Sequence, residues 1–103
     1  MRFLSFDVSD STDGITTLEA MASTSAAQHA QALAEAQQLL DWAWQQFPDG
    51  HGPVEDGQDW DHDLQVHVED GQWHTVTLTV TASQRFAEAL AQAFAAELGD
   101  SDT

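Results

Sequence analysis

Apolar and polar positions alternate most clearly at residues 59–69, where Asp59, Asp61, Asp63, Gln65, His67 and Glu69 interleave with Trp60, His62, Leu64, Val66 and Val68. A period of two is that of a half-buried strand with its polar set turned to water. Residues 74–82 alternate likewise, with Val76, Leu78, Val80 and Ala82 on one side and Thr75, Thr77, Thr79 and Thr81 on the other. Between the two runs, Glu69-Asp70-Gly71-Gln72 predicts a hairpin. A two-residue Asp70-Gly71 loop would set Val66 opposite Thr75 and mix apolar with polar on each face. A three-residue loop Glu69-Asp70-Gly71, with Gly71 left-handed, pairs Leu64 with Val76 and Val66 with His74, so both apolar rows face one core. The N-terminal segment repeats the layout: Leu4, Phe6 and Val8 alternate with Phe3, Ser5 and Asp7, residues 10–14 form a turn, and Ile15 to Ala22 is the return strand.

Two helices follow the hairpins. The first begins after Ser23, Thr24 or Ser25 as cap and runs to about Phe47, where Pro48-Asp49-Gly50 stops it. Its apolar stripe, centred on Leu40, holds Leu33, Ala36, Ala43, Trp44 and Phe47, and Trp42 falls nearly opposite. The second is capped by Ser83, carries Phe86, Leu90, Phe94 and Leu98 as a row four residues apart, and ends at Gly99. Thr17-Leu18-x-x-x-Ala22-Ser23 recurs as Thr77-Leu78-x-x-x-Ala82-Ser83, and each copy leads into a helix. The expected fold class is α+β, in ββαββα order: a four-stranded antiparallel sheet with two helices packed on one face, a two-layer sandwich. Residues 1–98 form the single domain, 48–58 its long loop, and 99–103 a disordered acidic tail.

Composition narrows the function. A chain of 103 residues suits one core, and 42% hydrophobic residues with 4 Trp and 5 Phe exclude intrinsic disorder. Lys+Arg total 2 against 18 Asp+Glu, a formal charge of -16 that argues against direct nucleic-acid or anionic-membrane binding. Charged residues are only 19%, so base is missing rather than acid in excess, for solubility or for a basic partner. Without Cys there is no disulfide, thiolate metal site or cysteine nucleophile. The apolar run at the start is too short for a signal peptide and none spans a membrane, so a cytoplasmic location is expected. Size and charge are those of small acidic bacterial chaperones and immunity proteins, and no motif of either stands in the chain.

Catalysis is not expected, because Cys, Lys and Tyr are absent and no nucleophile elbow, phosphate loop or dinucleotide fingerprint occurs. Asp59-x-Asp61-x-Asp63 imitates the start of a calcium loop, but the sixth position, which needs Gly, is Leu64. His51, Glu55, Asp56, Asp59, Asp61, His62 and Asp63 do fall within thirteen residues, but alternation spreads the aspartates along one strand face, so no metal or cofactor is assigned; a weak divalent-metal-dependent activity around residues 51–63 stays as an alternative. Trp60 and His62 point away from the acidic row, to core or rim, and His29 is a packed histidine. Once the core is assigned, Phe3, Ile15, Met21 and Trp73 remain for the open sheet face as a contact patch, and Trp42 is a second anchor or is covered by the 48–58 loop. The leading expectation is a non-catalytic module that binds a protein partner or forms a homodimer through that face. The alternative is an acidic inhibitor, immunity-type protein or nucleic-acid mimic that meets a basic partner through Asp59, Asp61 and Asp63.

Overall fold

Each alternating run forms a strand, and each Ser-led amphipathic run forms a helix. A computed structural model of the protein describes residues 3–10, 14–69 and 71–94. In chain order the elements are β1 (Ser5–Asp10), β2 (Thr16–Ser25), α1 (Ala26–Gln46), a single 3-10 turn at Val54–Asp56, β3 (Trp60–Glu69), β4 (Trp73–Ala82) and α2 (Gln84–Ala93). The four strands make one antiparallel sheet in the order β1-β2-β4-β3, so the two return strands meet at its centre. Leu18, Ala20 and Ala22 of β2 and Val76, Leu78, Val80 and Ala82 of β4 turn to the helices and are buried. α1 lies against β2 and β4 and α2 against β4, which leaves the opposite face of the sheet open.

The β3–β4 register differs from the sequence expectation by two residues. Leu64 lies opposite Leu78 and Val66 opposite Val76. The Gln72 N–H donates to the Glu69 carbonyl at 3.1 Å, with Gly71 at φ +68° as the third residue of that turn, so Gln72 joins the loop and Glu69 pairs with Trp73. A shift of two preserves the faces, as the period of two requires. The repeat is also displaced. Both helices start from a serine with φ -68° and an extended ψ, but these are Ser25 and Ser83, not the Ser23 and Ser83 of the repeated motif. The Ser83 hydroxyl accepts from the Phe86 N–H at 3.2 Å, whereas the Ser25 side chain makes no such cap bond.

α1 is rotated from its expected phase. Its buried residues are Ala32, Ala36, Leu39, Leu40 and Ala43, while Trp44 is 42% exposed. Small alanines let the helix approach the sheet closely, and α2 takes the adjoining flank. Trp42 therefore faces α2 instead of solvent or the 48–58 loop, meeting Phe86 and Phe94 edge-on at centroid distances of 5.5 and 5.6 Å. Trp60, fully buried, stacks on Phe86 at 5.5 Å and donates its indole N–H to the Phe47 carbonyl at the end of α1 (3.1 Å). Phe86, Leu90 and Phe94 form the expected row of α2; Leu98, Gly99 and the 99–103 tail lie outside the described residues. His29 packs on His74 with centroids 4.6 Å apart. No helix among the described residues is long and apolar enough to cross a membrane.

Candidate functional site

The open face is a carpet of hydroxyls crossed by carboxylates. Ser5, Asp7 and Ser9 of β1, Thr17, Glu19, Met21 and Ser23 of β2, the four threonines of β4 and Asp61, Asp63, Gln65, His67 and Glu69 of β3 share it by strand parity. Register gathers three of the acids into one line: Asp7 lies opposite Glu19, Glu19 opposite Thr79, and Thr79 opposite Asp63. Like charges directly across a strand pair destabilise the sheet. Among the described residues no cation other than a protonated histidine offsets them, since Lys is absent, Arg2 lies outside the described residues, and Arg85 is engaged elsewhere.

The predicted contact patch does not assemble as one. Met21 (43% exposed) and Trp73 (51% exposed) are on the open face, but Met21 is level with Thr77 and Trp73 with Ser25, and the hydrogen-bonded Ser23–Thr75 rung lies between them. Phe3 curls over the sheet edge and packs against the core, its N–H and that of Leu4 donating to the Glu35 carboxylate of α1 at 3.0 and 3.1 Å. Ile15 is at the opposite end of β2 from Trp73, about 30 Å away at the rise of a strand, where it lines a shallow depression with Val54, Gln58 and Ser83. Trp42, half-buried, packs against the core through Phe86 and Phe94.

The acidic row is likewise divided. Asp59 accepts from the Ser83 hydroxyl (3.1 Å) and from the Arg85 guanidinium, through Nε at 3.3 Å and through Nη2. These Arg85 hydrogen bonds, against the opposing effect of burial and with help from Ser83, hold the Asp59 carboxyl below the usual carboxylate range. Asp63 is exposed and accepts from Gln65, at 2.8 Å. Asp61 has open-face parity, but its carboxylate turns to the outer edge of β3, towards His51.

At that edge the chain returns alongside β3. The Gly50 carbonyl accepts from the N–H groups of Asp59 and Trp60, and the Gly52 N–H donates to the Trp60 carbonyl, so His51 forms a parallel bridge with Trp60. Gly50 makes this approach possible, because a Cβ there would sit 2.8 Å from Asp59 Oδ2. His51 Nε2 then lies 2.9 Å from His62 Nδ1 and 3.3 Å from Asp61 Oδ1. The His51 ring is wedged between Trp44 and Trp60, with both centroids 4.6 Å away. Burial, and then the neighbouring His51, hold His62 below the ordinary histidine range, against the pull of Asp61 and Asp63. The sequence signals this group by the clustering of His51, Asp61 and His62 within residues 51–63, and the close approach itself by Gly50-His51-Gly52, a histidine between two residues that permit it.

Compared with protein-family models, with curated proteins and with solved structures, the chain finds no match in any of the three.

Proposed function

We propose that the protein is a non-catalytic binding module whose open sheet face takes a basic protein surface. The observation that carries this is the Asp7–Glu19–Asp63 line, carboxylates set in register across the sheet with no lysine or arginine among the described residues of that face. Such an arrangement is unfavourable in the isolated chain and becomes favourable when guanidinium or ammonium groups lie over it. The half-buried threonines offer hydroxyls between the charges, and Met21 and Trp73 supply separate apolar contacts at the margin. A second copy of the chain is the less suitable occupant, because it would bring the same carboxylates against this line.

The test is titration with an arginine-rich peptide of the wild type, of Asp7→Asn/Glu19→Gln/Asp63→Asn, and of Asp41→Asn/Glu55→Gln/Asp56→Asn, which removes the same charge elsewhere. The face variant should bind about tenfold more weakly than the control variant, and added salt should weaken the wild-type complex. The face variant should also melt higher than the wild type. Equal binding by the two variants would sink the assignment of the face.

A further inference from the structure

We propose that His51, Asp61 and His62 form a binding site for a divalent transition-metal ion of the zinc class. One ligand atom from each residue can be chosen so that all lie within 4.8 Å of one another. Ligands held about 2.0–2.1 Å from an ion are about 3.3 Å apart in a tetrahedral shell and about 2.9 Å apart in an octahedral one. Two of the three separations, 2.9 Å between the two imidazole nitrogens and 3.3 Å from His51 Nε2 to the carboxylate, fall within the span of those edges. Two imidazoles and one carboxylate select zinc, nickel, cobalt or iron over calcium and magnesium, which take oxygen donors.

The three groups are also held in place. Successive strand residues point to opposite faces, so Asp61 and His62 would diverge on an interior strand; on this edge strand, His51 stands beside the backbone and both lean round to it. Trp44 and Trp60 clamp the His51 ring, Trp60 also stacks on His62 at 5.7 Å, and Asp61 Oδ1 accepts from the His62 N–H at 2.8 Å. Little side-chain freedom remains to be lost on binding. Three protein ligands leave at least one position for water or an incoming group. The sequence places His51, Asp61 and His62 in one metal-suggestive stretch but assigns no metal, because alternation sets His62 on the opposite face from the aspartates; the fold overcomes this by bringing His51 to the strand edge.

Without an ion, the same contact is a hydrogen bond between two imidazoles, and the experiment must separate the two. Chelator-treated full-length protein is titrated calorimetrically with zinc, cobalt and calcium chlorides near neutral pH. The expected result is one zinc per chain with a Kd of about 10 μM or tighter, visible absorption bands on loading with cobalt, and no competition by calcium. His51→Gln and His62→Gln should each weaken zinc binding by about tenfold or more, and His67→Gln should leave it unchanged. Should either variant fail to fold, the imidazole proton resonances of the wild type decide, since zinc must move those of His51 and His62 and spare those of His29, His67 and His74. Zinc binding that His51→Gln and His62→Gln leave intact, or no saturable binding below about 1 mM, overturns the site.

Discussion

Asp59 and His51 show how far a residue's neighbours, rather than its type, decide its role. By alternation Asp59 belongs with Asp61 and Asp63 on the acidic face, yet it precedes β3 and is held by Ser83 and Arg85 at the start of α2. A carboxyl whose folded pKa is depressed contributes stability above its unfolded value of about 4, and that contribution is lost as pH falls through the lower folded value. Asp59→Asn should therefore cost roughly 1 kcal/mol near neutral pH in urea unfolding, with the gap from wild type closing below about pH 4; a gap independent of pH would contradict this. His51 was legible as a candidate ligand but not in its place: nothing local brings it to β3, and only the Gly50 backbone lying against Asp59 and Trp60 does so. Trp60 and His62, by contrast, sit on the side of the strand that alternation assigned them.

At the level of elements, what the chain made legible is what periodicity alone determines. Strand identity and facing survive because alternation is local; the register of β3 on β4 depends on whether Gly71 or Gln72 closes the loop, which alternation cannot distinguish. The phase of α1 was harder still. Seven of its 21 residues are Ala, which counts as apolar on any side, so the stripe is too wide to centre. The rotation that brings Leu39 and Trp42 inward has a measurable consequence. Leu39→Ala and Leu40→Ala should each cost about 2–5 kcal/mol and Trp42→Ala about 3 kcal/mol, while Trp44→Ala, on the exposed flank, should cost less than any of them. Denaturant melts in which Trp44→Ala exceeds Trp42→Ala would place the helix back in its sequence-derived phase.

For the whole molecule the dominant quantity is charge. Eighteen acids share the chain with two arginines, and Arg85 is already paired with Asp59. Mutual repulsion opposes the folded state more than the expanded one, and ions within a Debye length of about 10 Å at 0.1 M weaken it. The melting temperature should rise from low salt to about 0.3 M sodium chloride; a steady fall would mean that attractive pairs outweigh the repulsion.

The central pairing of β2 with β4 runs the whole length of both strands, from Thr16 opposite Ala82 to Ser25 opposite Trp73. The first ββα unit places β1 and β2 on one side of that seam and the second places β4 and β3 on the other, with α1 lying across it against both β2 and β4. A single core draws Leu18, Ala20 and Leu39 from the first group and Val76, Leu78, Val80 and Phe86 from the second. Neither half can keep its apolar residues from water by itself, so the two are stable only together. Even the rung nearest in sequence, Ser25 with Trp73, spans 48 positions (73 − 25), with all of α1 and β3 inside the span. The entropy of closing so long a loop is lost before the seam returns any burial, whereas a hairpin or a helix turn closes only a few residues. Local pieces are therefore expected to form and dissolve quickly, with the meeting of β2 with β4 as the step that commits the chain to its native state.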